Sequence, residues 1–572
     1  MDSTIEVNNT DENQGAEYWA NKGSESYNAK NYEEACKCYE KAIQLESIPS
    51  IQASFFNNWG IILFGLAKTK KDVWLRESAC EKFEKAAQLD PNNTSVLYNW
   101  GIVLYNLAET KKDVPLYESA CEKYEKAVQL DPNKTSAFYN WGFVLYQIAK
   151  IKKDEKFQKN LETFENASKK VDDPDTYLIK GELYFILGKT EVAKECFEKS
   201  KKSILEILTF LDKSNEREII ETEILYSLLD SRATEDGKFF TETIGSQSEE
   251  ERKKYKKIYI LSIFIISLLH VNEPEEKFVA HYLGKNVSQK LLFDSDFKFR
   301  LNAIDFSNDP SEGETLLDFL YEKGKRPSDE RLINEEYEAF ASCFVFDYDN
   351  LNMFRLYGKE QDEEGTGLSL VFRDSFFNEK AKMALGSSET DSSKSNDDNS
   401  AEKDKLALFR CIYFDPNPKT EQHIVTVGRK EEYLFYRDKI GTKFDDYNKF
   451  INGIVSSIRN EMGELKILAN DGGINPSIVG QLLLNLRYLA KHVAFKEEQE
   501  CRILKIHHLH DKAIKVTGDD YKQMYIEYPH TASMHIDKIY FGPKAKGFEL
   551  FRSILKNKKL NIPCYKSENP LI

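Results

Sequence analysis

The sequence predicts a multidomain chain in which an all-α solenoid of helical repeats is followed by an α+β domain. The first observation is a near-verbatim repeat, since the segment 56–91 returns at 98–132. The second is a change of pattern after residue 277, where short apolar runs alternate with turn residues. Repeated segments of this length are typical of stacked helix pairs, and mixed strand and helix patterns are typical of α+β domains.

The repeated segment predicts helical hairpins that must stack on one another. Gly60 and Ala79 recur as Gly101 and Ala120, and Gly142 continues the glycine series at the same 41-residue spacing. Small residues at fixed positions mark where the two helices of a hairpin cross closely, while Leu, Tyr and Phe fill the space around them. Because one hairpin cannot bury its apolar face alone, neighbouring hairpins must pack together.

These units resemble tetratricopeptide repeats over residues 17–202, in about five helix pairs. The first copy has the family's residues at the family's spacing, namely Trp19, Gly23, Tyr27, Ala35, Tyr39 and Ala42. The second and third copies depart from the family by about seven extra residues, expected between the two helices. The resemblance implies a curved stack whose concave face binds a protein or peptide partner. The alternative is a stack that only braces the C-terminal half.

Composition limits the partners and the compartment. The chain has 80 Lys and Arg against 95 Asp and Glu, a formal net charge of −15, which disfavours duplex nucleic acid and leaves room only for a local basic groove. Nine scattered cysteines without a CxxC pair indicate a reduced, intracellular protein. The polar N-terminus, 1–16, predicts disorder without a signal peptide, so a cytoplasmic location is expected. The apolar run 258–269 predicts a buried helix, because a membrane span needs about twenty residues.

The rest of the chain divides into a helical bridge or cap, 203–276, and an α+β domain, 277–572. A polar, low-complexity stretch within that domain, 387–405, predicts a disordered insertion. Helical patterns occupy 441–465 and 477–494. Strand-like runs are predicted at 297–302, 341–346, 367–372, 409–414, 423–427, 501–506, 523–528 and 538–542.

Four dispersed motifs give the C-terminal domain a resemblance of its own. They are His281-Tyr282, Asn308-Asp309-Pro310-Ser311-Glu312, Phe354-Arg355-Leu356-Tyr357-Gly358 and Glu498-Gln499-Glu500-Cys501-Arg502. Their order resembles a mostly bacterial domain family of uncharacterised function, with a departure at Leu283, where Thr or Ser is expected. The layout also looks like that of ADP-ribosyltransferase domains, which implies NAD as the substrate.

That resemblance implies a role for each motif. His281 would hold the nicotinamide ribose, Tyr282 or Tyr357 would stack on the nicotinamide ring, and Arg355 would clamp the pyrophosphate. Asn308 is counted with these cofactor-binding residues. Glu500 would stabilise the oxocarbenium-like transition state, and Glu498, two residues earlier on the same strand face, would handle the acceptor.

Each of these residues also has an ordinary structural interpretation. His281 suits a strand start, Arg355 an ion pair with Asp309 or Glu312, and the two late glutamates a solvated edge strand. Two alternatives to NAD chemistry therefore stay open. One is a non-enzymatic adaptor whose C-terminal domain binds a ligand or partner without turnover. The other, more distant, is a magnesium nuclease, although the sequence has no metal-site signature and no metal is predicted.

Overall fold

The structure is a computed structural model that describes most of the chain. The described residues are 15–29, 31–70, 72–169, 171–210, 223–230, 235–244, 247–271, 276–304, 312–321, 337–361, 363–378, 384–385, 405–415, 423–429, 442–517, 523–528 and 530–569. Of the stretches predicted to be disordered, 1–16 and 387–405, residues 1–14 and 387–404 lie outside these residues, as does Asn308. The prediction is wrong at Ala16, which begins the first helix. The chain divides into two compact units, Met1–Lys201 and Lys202–Ile572. The first is all-α and the second is α+β, so the predicted fold class is confirmed.

The first unit is a series of helical hairpins. Its helices are α1 (Ala16–Asn28), α2 (Tyr32–Leu45), α3 (Pro49–Lys70), α4 (Val73–Leu89), α5 (Thr94–Lys111), α6 (Val114–Leu130), α7 (Thr135–Ile151), α8 (Glu155–Ser168), α9 (Pro174–Ile186) and α10 (Thr190–Ser200). The repeated glycines allow close helix crossing. A β-carbon at Gly101 would lie 2.7 Å from the Tyr124 ring of the partner helix. The aromatic ring therefore occupies the space that a larger residue would need.

The extra residues of the second and third repeats lengthen the helices and do not form a loop between them. Helix α3 continues to Lys70, and α4 already begins at Val73. The Ala- and Lys-rich end of α3 favours helix. Asp72 caps the start of α4 by accepting a hydrogen bond from the Trp74 amide. Only two residues, 71 and 72, separate the two helices.

The second unit begins with helices in the segment predicted as a bridge. They are α11 (Ile204–Phe210), α12 (Glu223–Asp230), α13 (Glu235–Ile244) and α14 (Glu249–Leu269). The apolar run 258–269 forms the C-terminal half of α14 and is buried. Helix α14 packs against a later helix of the same unit, α18 (Thr442–Ala469). No helix in the described part of the chain is long and apolar enough to cross a membrane.

The rest of the second unit is built on β-strands. The strands are β1 (Phe278–Leu283), β2 (Phe299–Ala303), β3 (Tyr337–Val345), β4 (Leu368–Arg373), β5 (Ala384–Leu385), β6 (Phe409–Arg410), β7 (Ile412–Phe414), β8 (Ile424–Val427), β9 (Ala490–His492), β10 (Glu500–His508), β11 (Lys515–Thr517), β12 (Gln523–Tyr528), β13 (Ile536–Phe541) and β14 (Cys564–Lys566). The further helices are α15 (Lys285–Phe293), α16 (Thr315–Leu320), α17 (Leu351–Leu356), α19 (Pro476–Leu482), α20 (Leu484–Arg487) and α21 (Phe548–Asn557).

The main sheet splits beside its central strand, β3. Eight strands follow the order β11-β12-β2-β3-β1-β4-β13-β14. Strand β10 pairs with one edge of β3 over its whole length. The other edge pairs with β2 at Phe340 and Ala341 and with β1 at Val345. Because β1 and β2 share this edge of β3 without pairing with each other, a gap opens between them.

The two faces of the main sheet have different covers. One face packs against α15 and α21 through an aromatic core that includes Phe299, Phe344 and Phe372. The other face, which carries Ala280, Tyr282 and Val345, packs against α17. A second, three-stranded sheet has the order β8-β7-β9. The 477–494 pattern was predicted to be helical, and this prediction is wrong at its end, because Ala490–His492 forms β9 beside β7.

Candidate functional site

A small cavity of about 60 Å³ lies where β1, β3 and β10 meet. Five of the residues predicted for the site border it, namely His281, Tyr282, Tyr357, Glu498 and Glu500. They come from three segments that are far apart in sequence, and the sheet brings them together. Strand pairing explains part of this convergence, because Ala280 and Glu500 both lie opposite Val345 and paired residues share a face of the sheet.

The two late glutamates reach the cavity by a turn and not along one strand, so the prediction of a shared strand face is wrong. Glu498 ends a 3₁₀-helix, Val493–Glu498, and Glu500 begins β10. Between them, Gln499 has a left-handed backbone (φ 47°). Gly428 makes room for this turn, because a β-carbon there would collide with the carbonyl oxygen of Glu500.

Glu500 is buried between two cations. Lys491 Nζ lies 2.5 Å from Glu500 Oε2, and Arg502 Nε lies 2.5 Å from Glu500 Oε1. Arg502 also donates to the carboxylate of Glu312 and, at 2.8 Å, to the carbonyl of Tyr488. Burial alone would raise the pKa of Glu500, but attraction to Arg502 and Lys491 outweighs burial and holds the pKa far below its usual range. Glu500 is therefore ionised at neutral pH.

The pKa of Glu498 is shifted in the opposite direction, upwards. Lys491 Nζ lies 2.6 Å from Glu498 Oε2, and the Tyr357 hydroxyl donates to Glu498 Oε1 at 3.0 Å. Burial raises the pKa of Glu498, and the nearby charge of Glu500 raises it further, so that the attraction of Lys491 does not compensate. One small site thus contains a carboxyl group that ionises readily and one that retains its proton to higher pH.

The side chain of His281 lies on the other face of the sheet from Glu500. Its ring centroid is 5.2 Å from those of both Phe299 and Phe344 in the aromatic core. His281 Nδ1 donates to the carbonyl of Cys343 at 2.7 Å, which fixes the proton on Nδ1. Cys343 lies on β3 between its contacts with β2 and β1, so the imidazole fills the gap in the sheet. His281 borders the cavity at this gap.

We expect His281 to make the fold sensitive to mild acid. Burial lowers its pKa to about 4, from an ordinary value of 6.5. Between these values the unfolded chain binds more protons than the folded chain, so stability falls as the pH is lowered from about 6.5 to about 4. Urea unfolding across this range should show a shallower pH dependence for His281→Gln than for the wild type. If the stability of the two proteins depends equally on pH, the lowered pKa of His281 is not the cause of the acid sensitivity.

The other predicted site residues have separate positions. The Tyr282 hydroxyl donates to the carbonyl of Asp347 at 2.9 Å, and its buried ring packs edge-on against Phe354. Of the two candidate stacking residues, Tyr357 is therefore the one whose hydroxyl donates to Glu498. Arg355 does not border the cavity. Its side chain is exposed and pairs with Glu364 at 2.9 Å, so the suggested partner Glu312, which pairs with Arg502, is wrong. The other suggested partner, Asp309, lies outside the described residues.

Lys491 is the residue that sequence reasoning missed. It pairs with both Glu498 and Glu500, yet it lies in the 477–494 pattern, which predicts a helix. Its one sequence signal is a lysine within an apolar stretch shortly before the Glu-x-Glu motif. Within the described ranges, no three His, Cys, Asp or Glu side chains converge as metal ligands. Glu312 and Glu500 both pair with Arg502, so this arrangement gives the magnesium alternative no support.

Comparisons with known proteins bear on the N-terminal unit. Models of the tetratricopeptide repeat match residues 16–47 and 174–203. A search of curated proteins gives no significant match. Among solved structures, MamA is 17% identical over 32% of this chain and 89% of its own, with a TM-score of 0.25. PilF of Pseudomonas aeruginosa is 24% identical over 34% of this chain and 80% of its own, also with a TM-score of 0.25.

A tetratricopeptide repeat protein from Parabacteroides merdae is 15% identical over 44% of this chain and 90% of its own, with a TM-score of 0.26. Identities and TM-scores this low carry no argument about function. The two family models match hairpins at both ends of the first unit, α1–α2 and α9–α10. The N-terminal region therefore contains tetratricopeptide repeats.

Proposed function

We propose that the chain couples protein-binding repeats to a C-terminal unit that cleaves NAD or transfers its ADP-ribose. The observation that carries the proposal is the pair of carboxyl groups, Glu498 and Glu500, whose pKa values are shifted in opposite directions within one cavity. Two neighbouring carboxyl groups with such different pKa values are typical of catalytic sites in which one group transfers protons and the other stabilises charge. The repeats supply a surface for a protein or peptide, proposed to be their concave face.

In the proposed reaction, Glu500 stabilises positive charge and Glu498 accepts a proton. The bond between the ribose anomeric carbon and the nicotinamide nitrogen breaks, and its electron pair leaves with nicotinamide. Positive charge then develops on the ribose, where the ionised Glu500 stabilises it. An acceptor hydroxyl, amine or water forms the new bond to the anomeric carbon and gives its proton to Glu498, whose raised pKa makes it the better base. Tyr357 holds Glu498 in position.

The test is NAD binding and nicotinamide release by the full-length chain. We expect Glu500→Gln to lower turnover by about 100-fold or more, because loss of one preorganised electrostatic partner typically costs about that much. Tyr357→Phe keeps the ring and removes the hydroxyl that holds Glu498, so it should lower turnover less. Glu549→Gln, which neutralises an exposed carboxylate on α21, is the matched control and should retain wild-type turnover. Circular dichroism of each variant checks that it is folded.

Two outcomes would reject the enzymatic proposal. One is wild-type turnover in a folded Glu500→Gln variant. The other is a wild-type chain that neither binds NAD nor releases nicotinamide.

A second candidate is a non-enzymatic adaptor, and a specific observation favours it. Lys491 and Arg502 occupy both oxygens of Glu500, and a 60 Å³ cavity has room for little more than water molecules or one small group. On this view the buried charges brace the sheet, and the repeats alone recognise a partner. The adaptor predicts partner binding that survives Glu500→Gln and is lost when the concave face of the repeats is substituted.

A further inference from the structure

A second, larger cleft lies on the other side of the turn that carries the two glutamates. Its volume is about 360 Å³, and three separate segments line it. Helix α18 contributes Asn452, Val455 and Arg459, whose spacing places them on one face of the helix. The end of β8 contributes Thr426 and Arg429, and the Glu-x-Glu turn contributes Lys496, Glu497 and Gln499.

The backbone of the turn separates this cleft from the cavity. Glu498 and Glu500 border the small cavity, whereas Gln499 between them borders the cleft. The side chain of Gln499 is fixed there, because it accepts a hydrogen bond from the Arg429 amide at 2.9 Å and donates to the Lys496 carbonyl at 2.7 Å. The cleft is therefore a site distinct from the one described above.

The cleft concentrates positive charge on an acidic chain. Among the described residues of the lining, Arg429, Arg459 and Lys496 contribute three cations, and Glu497, 4.0 Å from Lys496, contributes the one carboxylate. Two nitrogens of Arg459 donate to the carbonyl of Ile424, at 3.0 and 2.7 Å, which holds this guanidinium in place. Most of the positive charge in the lining is thus not neutralised by the lining itself.

One guanidinium nitrogen in this cleft has no hydrogen-bond partner among the described residues. Arg429 Nε is buried and makes no hydrogen bond to any part of the chain that the structure describes. A buried donor without an acceptor is costly, and native proteins usually satisfy such groups. An anion with several acceptor oxygens would satisfy it, and guanidinium forks match phosphate oxygens in geometry as well as charge.

We infer that this cleft binds a small organic phosphate of about the size of a nucleoside monophosphate. Arg429, Arg459 and Lys496 bind the phosphate group. The volume, which falls in the range of about 300–1,000 Å³ typical of small-molecule sites, accommodates the organic part. Thr426, Asn452 and Gln499 offer hydroxyl and amide groups to sugar hydroxyls or a base. This ligand is different from the NAD proposed for the cavity, and its binding does not require that the cavity be catalytically active.

The test is calorimetric titration of the full-length chain with inorganic phosphate, pyrophosphate and AMP. We expect AMP to bind at least tenfold more tightly than inorganic phosphate, since the nucleoside fills space that phosphate leaves open. Arg429→Gln and Lys496→Gln should each weaken AMP binding by about tenfold, the loss expected for one charged hydrogen bond. Lys449→Gln, an exposed lysine on the same helix α18, should bind AMP as the wild type does.

The variants also distinguish binding from folding. Arg429→Gln removes a cation without a side-chain partner among the described residues, so its thermal stability without ligand should equal or exceed that of the wild type. Glu500→Gln should retain AMP binding, which separates this site from the NAD proposal. The inference is overturned if the wild type binds none of the three probes at millimolar concentration, if AMP and phosphate bind equally, or if both cation variants bind AMP as the wild type does.

Discussion

Replacing Arg502 with methionine is expected to lower the free energy of unfolding of the C-terminal unit by about 3–5 kcal/mol, the usual cost of removing one partner from a buried ion pair. Arg502 is buried and donates to Glu500, Glu312 and the carbonyl of Tyr488. Methionine fills much of the same volume but leaves the buried carboxylate of Glu312 without its cation. Lys491 still contacts Glu500, whereas Glu312 loses its ion pair with Arg502.

The measurement is urea unfolding followed by far-ultraviolet circular dichroism, with hydrogen exchange over 500–508 as a local readout. All five tryptophans lie in the first unit, so tryptophan fluorescence serves as an internal reference. The matched control is Arg355→Met, which removes an exposed pair with Glu364 and should cost less than about 1 kcal/mol.

A double variant, Arg502→Met with Glu312→Gln, tests the cause of the destabilisation. It should be more stable than Arg502→Met alone, because it removes the buried charge of Glu312, which the single substitution leaves without its cation. Equal losses for Arg502→Met and Arg355→Met would show that this network is as well solvated as a surface pair, and would contradict the assignment.

Much of the fold follows from the sequence, because local patterns specify it. The 41-residue glycine spacing identifies the hairpins, and the aromatic residues that meet those glycines lie within the same repeat. The eight predicted strand-like runs all correspond to strands, since each combines β-branched or aromatic residues with flanking turns. The extra repeat residues were harder to place, because Ala- and Lys-rich segments suit a helix as well as a loop.

The site is only partly predictable because strand register decides which side chains share a face. Tyr357, Glu498 and Glu500, which the motifs single out, border one cavity in the structure. The motifs do not reveal that His281 points to the opposite face, since alternation along β1 depends on which neighbour faces the core. Nor do they reveal Lys491, because its contact with the glutamates depends on a short parallel pairing between β9 and β7.

The turn between the glutamates links the two proposed binding sites. Gln499 in a left-handed conformation reverses the direction of successive side chains, so Glu498 and Glu500 face the cavity while Gln499 faces the basic cleft. Gly428 permits this arrangement by leaving space beside the Glu500 carbonyl. A ligand in the cleft would therefore contact the same short segment that positions the acidic pair.

A second buried ion pair supports the strand edge beside this turn, and Arg410→Met is expected to cost about 3–5 kcal/mol there. The side chains of Arg410 and Glu276 have no solvent exposure. Arg410 Nη1 donates to Glu276 Oε1 at 2.6 Å and to the carbonyl of Gly428 at 3.1 Å. The hydroxyl of Tyr447 on α18 donates to the same carboxylate. Among the described residues, removing the arginine leaves that buried carboxylate with the Tyr447 hydroxyl as its one side-chain donor, and removes the hydrogen bond to the Gly428 carbonyl.

Two companion variants separate charge burial from packing. Tyr447→Phe removes one hydrogen bond to a charged group and should cost about 1.5–3 kcal/mol, less than Arg410→Met. Arg410→Met combined with Glu276→Gln removes the unpaired charge and should recover at least half of the lost stability, because a neutral buried pair carries a far smaller desolvation penalty. Urea unfolding of the full-length chain measures all three. If the double variant is no more stable than Arg410→Met, the loss comes from packing around the guanidinium, and the buried charge of Glu276 is not its cause.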